Sequence, residues 1–115
     1  MSVSSTFSNI NSLGDISFVA GNTYTLKFVM TDQSGSTIDL STATIRWRMA
    51  PYGTDYVQLN KSGSVTAAGI FTVLLTSADT AGLNGKFSHQ PEIELASGVV
   101  LHPGQGIITL VQGLI

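Results

Sequence analysis

The side chains with chemistry to offer are few, and they gather in two stretches. Residues 43–53, "ATIRWRMAPYG", hold the chain's single tryptophan, Trp47, between Arg46 and Arg48. Residues 87–96, "FSHQPEIELA", hold His89, Glu92 and Glu94, and the second histidine, His102, follows shortly after. Arg-Trp-Arg can read nucleic acid, clamp a sugar, or be a strand with one residue buried and two exposed. Glu92 and Glu94 lie two apart, so on a strand their carboxylates share a face, as a glycosidase pair would need. His89 and Glu92 have an H-x-x-E look, but on a strand positions three apart point to opposite faces and cannot hold one metal together. Zinc usually takes three or four ligands.

Other chemical signatures do not assemble. With no cysteine there is neither a disulfide framework nor a thiolate metal site. Asp32, Asp39 and Asp55 lack EF-hand spacing and read as turn formers. The serines include no G-x-S-x-G elbow, and Gly104-Gln105-Gly106 lacks the following helix that a phosphate loop requires. The residues thus propose no catalytic group, no cofactor and no metal. Charged residues make up only 10% of the chain, where about 25% is usual. A formal net charge of −2 argues against general nucleic-acid binding, which needs a basic field over the phosphates. So little charge offers weak protection against association, which points to a life among protein neighbours, a second copy of the chain included. No run approaches the roughly 18 apolar residues of a membrane span. The first residues, "MSVSSTFSNINS", lack the basic and apolar regions of a secretory signal, so no membrane partner and no Sec export are expected.

The elements that must position these groups are strands. In "TYTLKFVMTD", Tyr24, Leu26, Phe28 and Met30 alternate with Thr23, Thr25, Lys27 and Val29, the signature of a half-buried strand. "DQSG", from Asp32 to Gly35, is turn chemistry. Alternation then puts Ile45, Trp47 and Met49 inward and Arg46 and Arg48 outward, and Pro51 ends that strand for want of an N–H. Further strands read at "DISFVA", "YVQLNK", "GIFTVLLT", "FSHQPEIELA" and "GIITLV". "TSADTAGLNG" suits one helical turn, capped by Thr76 or Ser77 and stopped by Gly82 or Gly85. About seven short strands with turn punctuation describe an all-β, antiparallel sandwich with immunoglobulin-like connections. The predicted core comprises Tyr24, Leu26, Phe28, Ile45, Trp47, Phe71, Val73, Ile93 and Leu95. In that topology the third strand pairs with the sixth, setting Glu92 and Glu94 beside Arg46 and Arg48 as cross-strand pairs worth roughly 0.2–1 kcal/mol each. The domain spans residues 14–115. Residues 1–13 read as a flexible polar arm carrying Phe7, Ile10 and Leu13, which could order on a neighbouring subunit.

The run from Gly21 to Val111 also carries a resemblance. Its marks are "AGNTYTLKFVMTDQSGSTIDLSTATIRWRM", "AAGIFTVLLTSADTAGL", "KFSHQPEIEL" and "PGQGIITLV". This scheme resembles the immunoglobulin-like N-terminal domain of phage baseplate upper proteins and related small virion proteins. The resemblance implies a non-enzymatic structural role in the virion, assembled in the host cytoplasm, with capsid, neck, tail or baseplate subunits as partners. Baseplate upper proteins usually continue into a helical stalk, whereas this sequence stops at Ile115, which points to a decoration, cement or adaptor protein. The interaction candidates are Phe7, Ile10 and Leu13 on the arm, Arg46 and Arg48 on the sheet, and Tyr52 and Tyr56 in a loop. The alternative class is a carbohydrate-binding or adhesin-type β-sandwich module, for which Tyr52 and Tyr56 are the aromatic candidates.

Overall fold

A computed structural model of the chain describes residues 2–8 as backbone and residues 15–31 and 36–113 in full. Ten strands run through them: β1 (Ser2–Ser8), β2 (Ile16–Val19), β3 (Thr23–Val29), β4 (Thr44–Pro51), β5 (Leu59–Ser62), β6 (Ser64–Ala67), β7 (Ile70–Leu75), β8 (Gly85–Glu94), β9 (Val100–Leu101) and β10 (Gly106–Val111). One helical turn, α1 (Ser77–Thr80), lies between β7 and β8. The first sheet has the order β1-β3-β7-β6. The second has β2-β10-β8-β4-β5, with β9 pairing the far end of β8.

Period-two alternation builds the layer between the sheets. Tyr24, Leu26 and Phe28 of β3 and Phe71, Val73 and Leu75 of β7 are buried from one side. Ile45, Trp47 and Met49 of β4, Phe87 and Ile93 of β8, and Ile108 and Leu110 of β10 close it from the other. Phe28 and Phe71 stack with ring centroids 4.7 Å apart, an arrangement that adds about 0.5–1.5 kcal/mol beyond burial. Leu95 lies just past the end of β8 and is half-buried against this core.

Three strands were not anticipated. β6 is exposed along its whole length, so its residues show no apolar alternation. β9 is only two residues long. β1 occupies part of the segment read as a flexible arm: Ser2–Ser8 run parallel to β3, with Val3 opposite Tyr24 and Phe7 opposite Phe28. A polar composition does not prevent this, because the edge of β3 supplies ladder hydrogen bonds whatever the side chains. Ile10 and Leu13 of the arm, and the "DQSG" turn with Asp32, lie outside the described residues. β10 pairs β2 in parallel as well, so the sandwich is not wholly antiparallel. No hairpin joins either parallel pair, and only a tight turn imposes the antiparallel sense.

Three local features shape the strands and their connections. Pro91 stands in the middle of β8, where its missing N–H should break a ladder. It faces Trp47 on the β4 side. On its other side the returning chain is itself broken, pairing at Ile93–Leu101 and again from His89–Gly106. Gly63 carries the chain from β5 across to β6, and its N–H donates to the Ile45 carbonyl oxygen at 2.9 Å. A Cβ there would lie 2.5 Å from Ile45 Cγ2, so any larger residue would force Ile45 to shift. α1 begins after Thr76, whose N–H donates to the Asp79 carboxylate at 2.8 Å, and Asp79 also meets Lys61 Nζ of β5 at 2.9 Å. Burial raises the Asp79 pKa, but the hydrogen bonds from Lys61 and Thr76 together with the Lys61 charge outweigh it and hold the carboxyl below its usual range.

Candidate functional site

The outer surface of β4 and β8 gathers most of the charged side chains singled out in the sequence. Trp47 pairs with Pro91, and this register sets Arg46 opposite Glu92, Arg48 opposite Gln90, and Thr44 opposite Glu94. The two strands do adjoin, but only one arginine faces a glutamate directly, where two such pairs were expected. Glu92 has another partner: its Oε2 lies 3.2 Å from His102 Nε2. Among the described residues neither arginine is ion-paired; Lys61–Asp79 is such a pair, and His102 and Glu92 stand within hydrogen-bond distance. Arg46, Arg48, Gln90, Glu92 and His102 line a notch of about 90 Å³.

A larger cleft, about 260 Å³, adjoins this notch and shares Arg48 and Gln90 with it. Its far wall is the β4–β5 connection, which contributes Thr54, Asp55 and Val57. That loop is braced by its own hydrogen bonds. The Thr54 N–H and hydroxyl both donate to the Pro51 carbonyl oxygen, at 3.0 and 2.8 Å. The Tyr56 N–H donates to Thr54 Oγ1 at 3.3 Å, the Tyr52 N–H to the Lys86 carbonyl oxygen at 3.1 Å, and the Gln58 N–H to the Met49 carbonyl oxygen at 2.7 Å. Tyr52 and Tyr56 stand on this braced loop 59% and 67% exposed. From the opposite side Gln105 Nε2 donates to Gln90 Oε1 at a long 3.5 Å.

Trp47 is not on this surface. It is fully buried, and its Nε1–H donates to Nδ1 of His89 at 3.0 Å. That bond assigns the proton of the neutral imidazole to Nε2. His89 is buried beneath β8, between Trp47 and Phe28, and burial pushes its pKa down to about 4. Glu92, three residues on, stands on the opposite face of the strand with His102. Among the described residues no three of His, Asp or Glu come together in a way that could hold a metal. Asp39 makes a turn, its Oδ1 accepting the Ser41 N–H at 3.0 Å; that hydrogen bond holds its pKa below the usual range. Residues 102–105 join β9 to β10, and Gly106 is the first residue of a strand rather than of a helix.

Two roles went unread in the sequence. His89 shares the inward face of Pro91 and Ile93, so alternation could have placed it in the core beside Trp47. Gln90, Gln105 and Ser88 carry no motif, and only the register of β8 with its neighbours brings them to the cleft.

No family model and no curated protein sequence matches the chain. Among solved structures, the N-terminal domain of phage TP901-1 ORF48 superimposes with a TM-score of 0.60 at 10% identity, over 96% of this chain and 98% of that one. CopC from Methylosinus trichosporium OB3b aligns with a TM-score of 0.49 at 14% identity, over 86% and 85% of the two chains.

Proposed function

We propose that this chain is a non-enzymatic structural protein of a phage virion, a decoration, cement, or tail or baseplate adaptor subunit that binds other virion proteins. The observation that carries the reading is the near end-to-end correspondence with the phage TP901-1 ORF48 domain. Strand order supports it too: β3, β7 and β6 stand opposite β10, β8 and β4, the connectivity of an immunoglobulin-like sandwich.

The surface suits such a role. On the outside of the first sheet Thr25 faces Leu74, Lys27 faces Thr72, and Val29 faces Ile70. Leu74 is half exposed there, and Lys27 is the single charge of the six. A sheet face so poor in charge loses little by desolvation when another subunit covers it. The sandwich is also open: β1, β6, β2 and β5 end their sheets, and open edges accept strands from neighbours. A second copy of the chain is one such neighbour.

Particles purified on a density gradient from cells producing the protein test the reading. Antibody against the chain should label them in the electron microscope at a fixed position, and the protein should co-sediment in constant ratio to the major capsid protein. Protein confined to the particle-free fractions would sink the proposal.

A further inference from the structure

The cleft beside the 52–58 loop is not needed to build a sandwich, and its composition is selective. We infer that it binds a neutral saccharide, seating one pyranose ring. Ala50 and Val57 supply apolar surface for the C–H face of a sugar, while Arg48, Asp55, Gln90 and Gln105 stand around it. Arginine only donates hydrogen bonds, an ionised aspartate only accepts them, and the two amides do both. That mixture matches vicinal hydroxyls, each of which is donor and acceptor at once. One cation and one anion on the rim leave no net charge, which disfavours an ionic ligand.

Size points the same way. Clefts for drug-sized ligands start at about 300 Å³, so about 260 Å³ suits a single ring. A stable protein interface covers roughly 800 Å² on each partner, far more than this cleft offers. The rim is also organised in advance. The Gln105–Gln90 contact uses one donor and one acceptor, leaving the Gln105 carbonyl oxygen and the Gln90 amide hydrogens for a ligand. Tyr52 and Tyr56 are among the most exposed large apolar side chains described, yet they stand on a loop whose backbone is tied at Pro51, Lys86 and Met49. Neither ring lines the cleft; set on the loop that forms its far wall, they would close over a bound sugar at little cost in ordering.

The experiment is a bacterial glycan array, followed by amide chemical-shift titration of the labelled protein with glucose, galactose, rhamnose and N-acetylglucosamine to tens of millimolar. Saturable shifts should appear at residues 52–58, 88–90 and 104–106. Asp55→Asn and the double variant Tyr52→Ala, Tyr56→Ala should each weaken binding about tenfold, the loss expected for one charged hydrogen bond or one stacking contact. Their unfolding midpoints should stay at the wild-type value, since all three side chains are exposed. A blank array together with no saturable shift from the four sugars overturns the assignment, as do shifts that map elsewhere. If sugars fail to bind while the same variants lose incorporation into particles, the cleft is a protein-docking surface and the saccharide assignment is wrong.

Discussion

At the scale of single residues, the Trp47–His89 pair ties the core to pH. Protonation would turn Nδ1 of His89 into a donor facing the Trp47 N–H, so the fold favours the neutral ring. The unfolded chain takes up this proton near the ordinary value of 6.5, and the folded chain only near 4. The unfolded state therefore binds more protons across that window, and stability falls as pH drops through it, by up to roughly 3 kcal/mol below it. Urea unfolding at stepped pH should show this slope between neutrality and pH 5, and His89→Gln should flatten it. An unchanged slope in the variant would remove His89 as its cause. The arginines supply a second prediction. Arg46 faces Glu92 whereas Arg48 faces Gln90, so a double-mutant cycle at low salt should give Arg46 and Glu92 a coupling below about 1 kcal/mol. Arg48 with Glu94 should give none. Equal coupling in both cycles would contradict the register.

At the scale of elements, the crossing between the sheets is closely packed at Gly63. Gly63→Ala must push Ile45 Cγ2 or Phe71 aside, and overpacking of this kind costs about 1–3 kcal/mol. Chemical denaturation of the variant checks the loss, and a neutral result would mean that β5 and β6 can shift apart. β1 is held from one side. It pairs with β3 and ends its sheet, whereas β3 keeps β7 and its buried row without it. Deleting residues 2–8 should leave a folded sandwich with a lowered unfolding midpoint and an open β3 edge. A synthetic peptide of residues 2–8 added in excess should restore part of the lost stability by strand addition. Loss of folding on deletion would make β1 part of the core structure instead.

At the scale of the molecule, one continuous cluster runs from Phe18 and Tyr24 through Trp47 and Phe71 to Leu110. A single small core without subdivisions unfolds as a unit. Tryptophan fluorescence, which reports Trp47 alone, should therefore follow the same denaturation curve as far-ultraviolet circular dichroism, which reports the strands. Separated midpoints would show that one sheet melts before the other. The two outer faces divide the remaining work. The β3–β7 face is nearly uncharged, while the β4–β8 face carries the arginines, the glutamates and the cleft.

Sequence alone determined which side of each major strand is buried. Alternation is a local property, and "TLKFVM" or "TIRWRM" shows it without reference to any other segment. For the same reason Trp47 reads as an inward residue, and the turn at Asp39 and the helical turn after Thr76 are equally local signals. Tertiary structure alone decided which strands are neighbours and in what register. Arg48 meets Gln90 because Trp47 pairs with Pro91, and no composition or period within either strand encodes that choice. The arm's partner was hidden likewise, because β1 gains its ladder from β3, beyond the whole of β2. The cleft draws on residues 48–50, on 54, 55 and 57, on 88–90 and on 105, segments far apart in the chain that become one surface only once the sheet has closed.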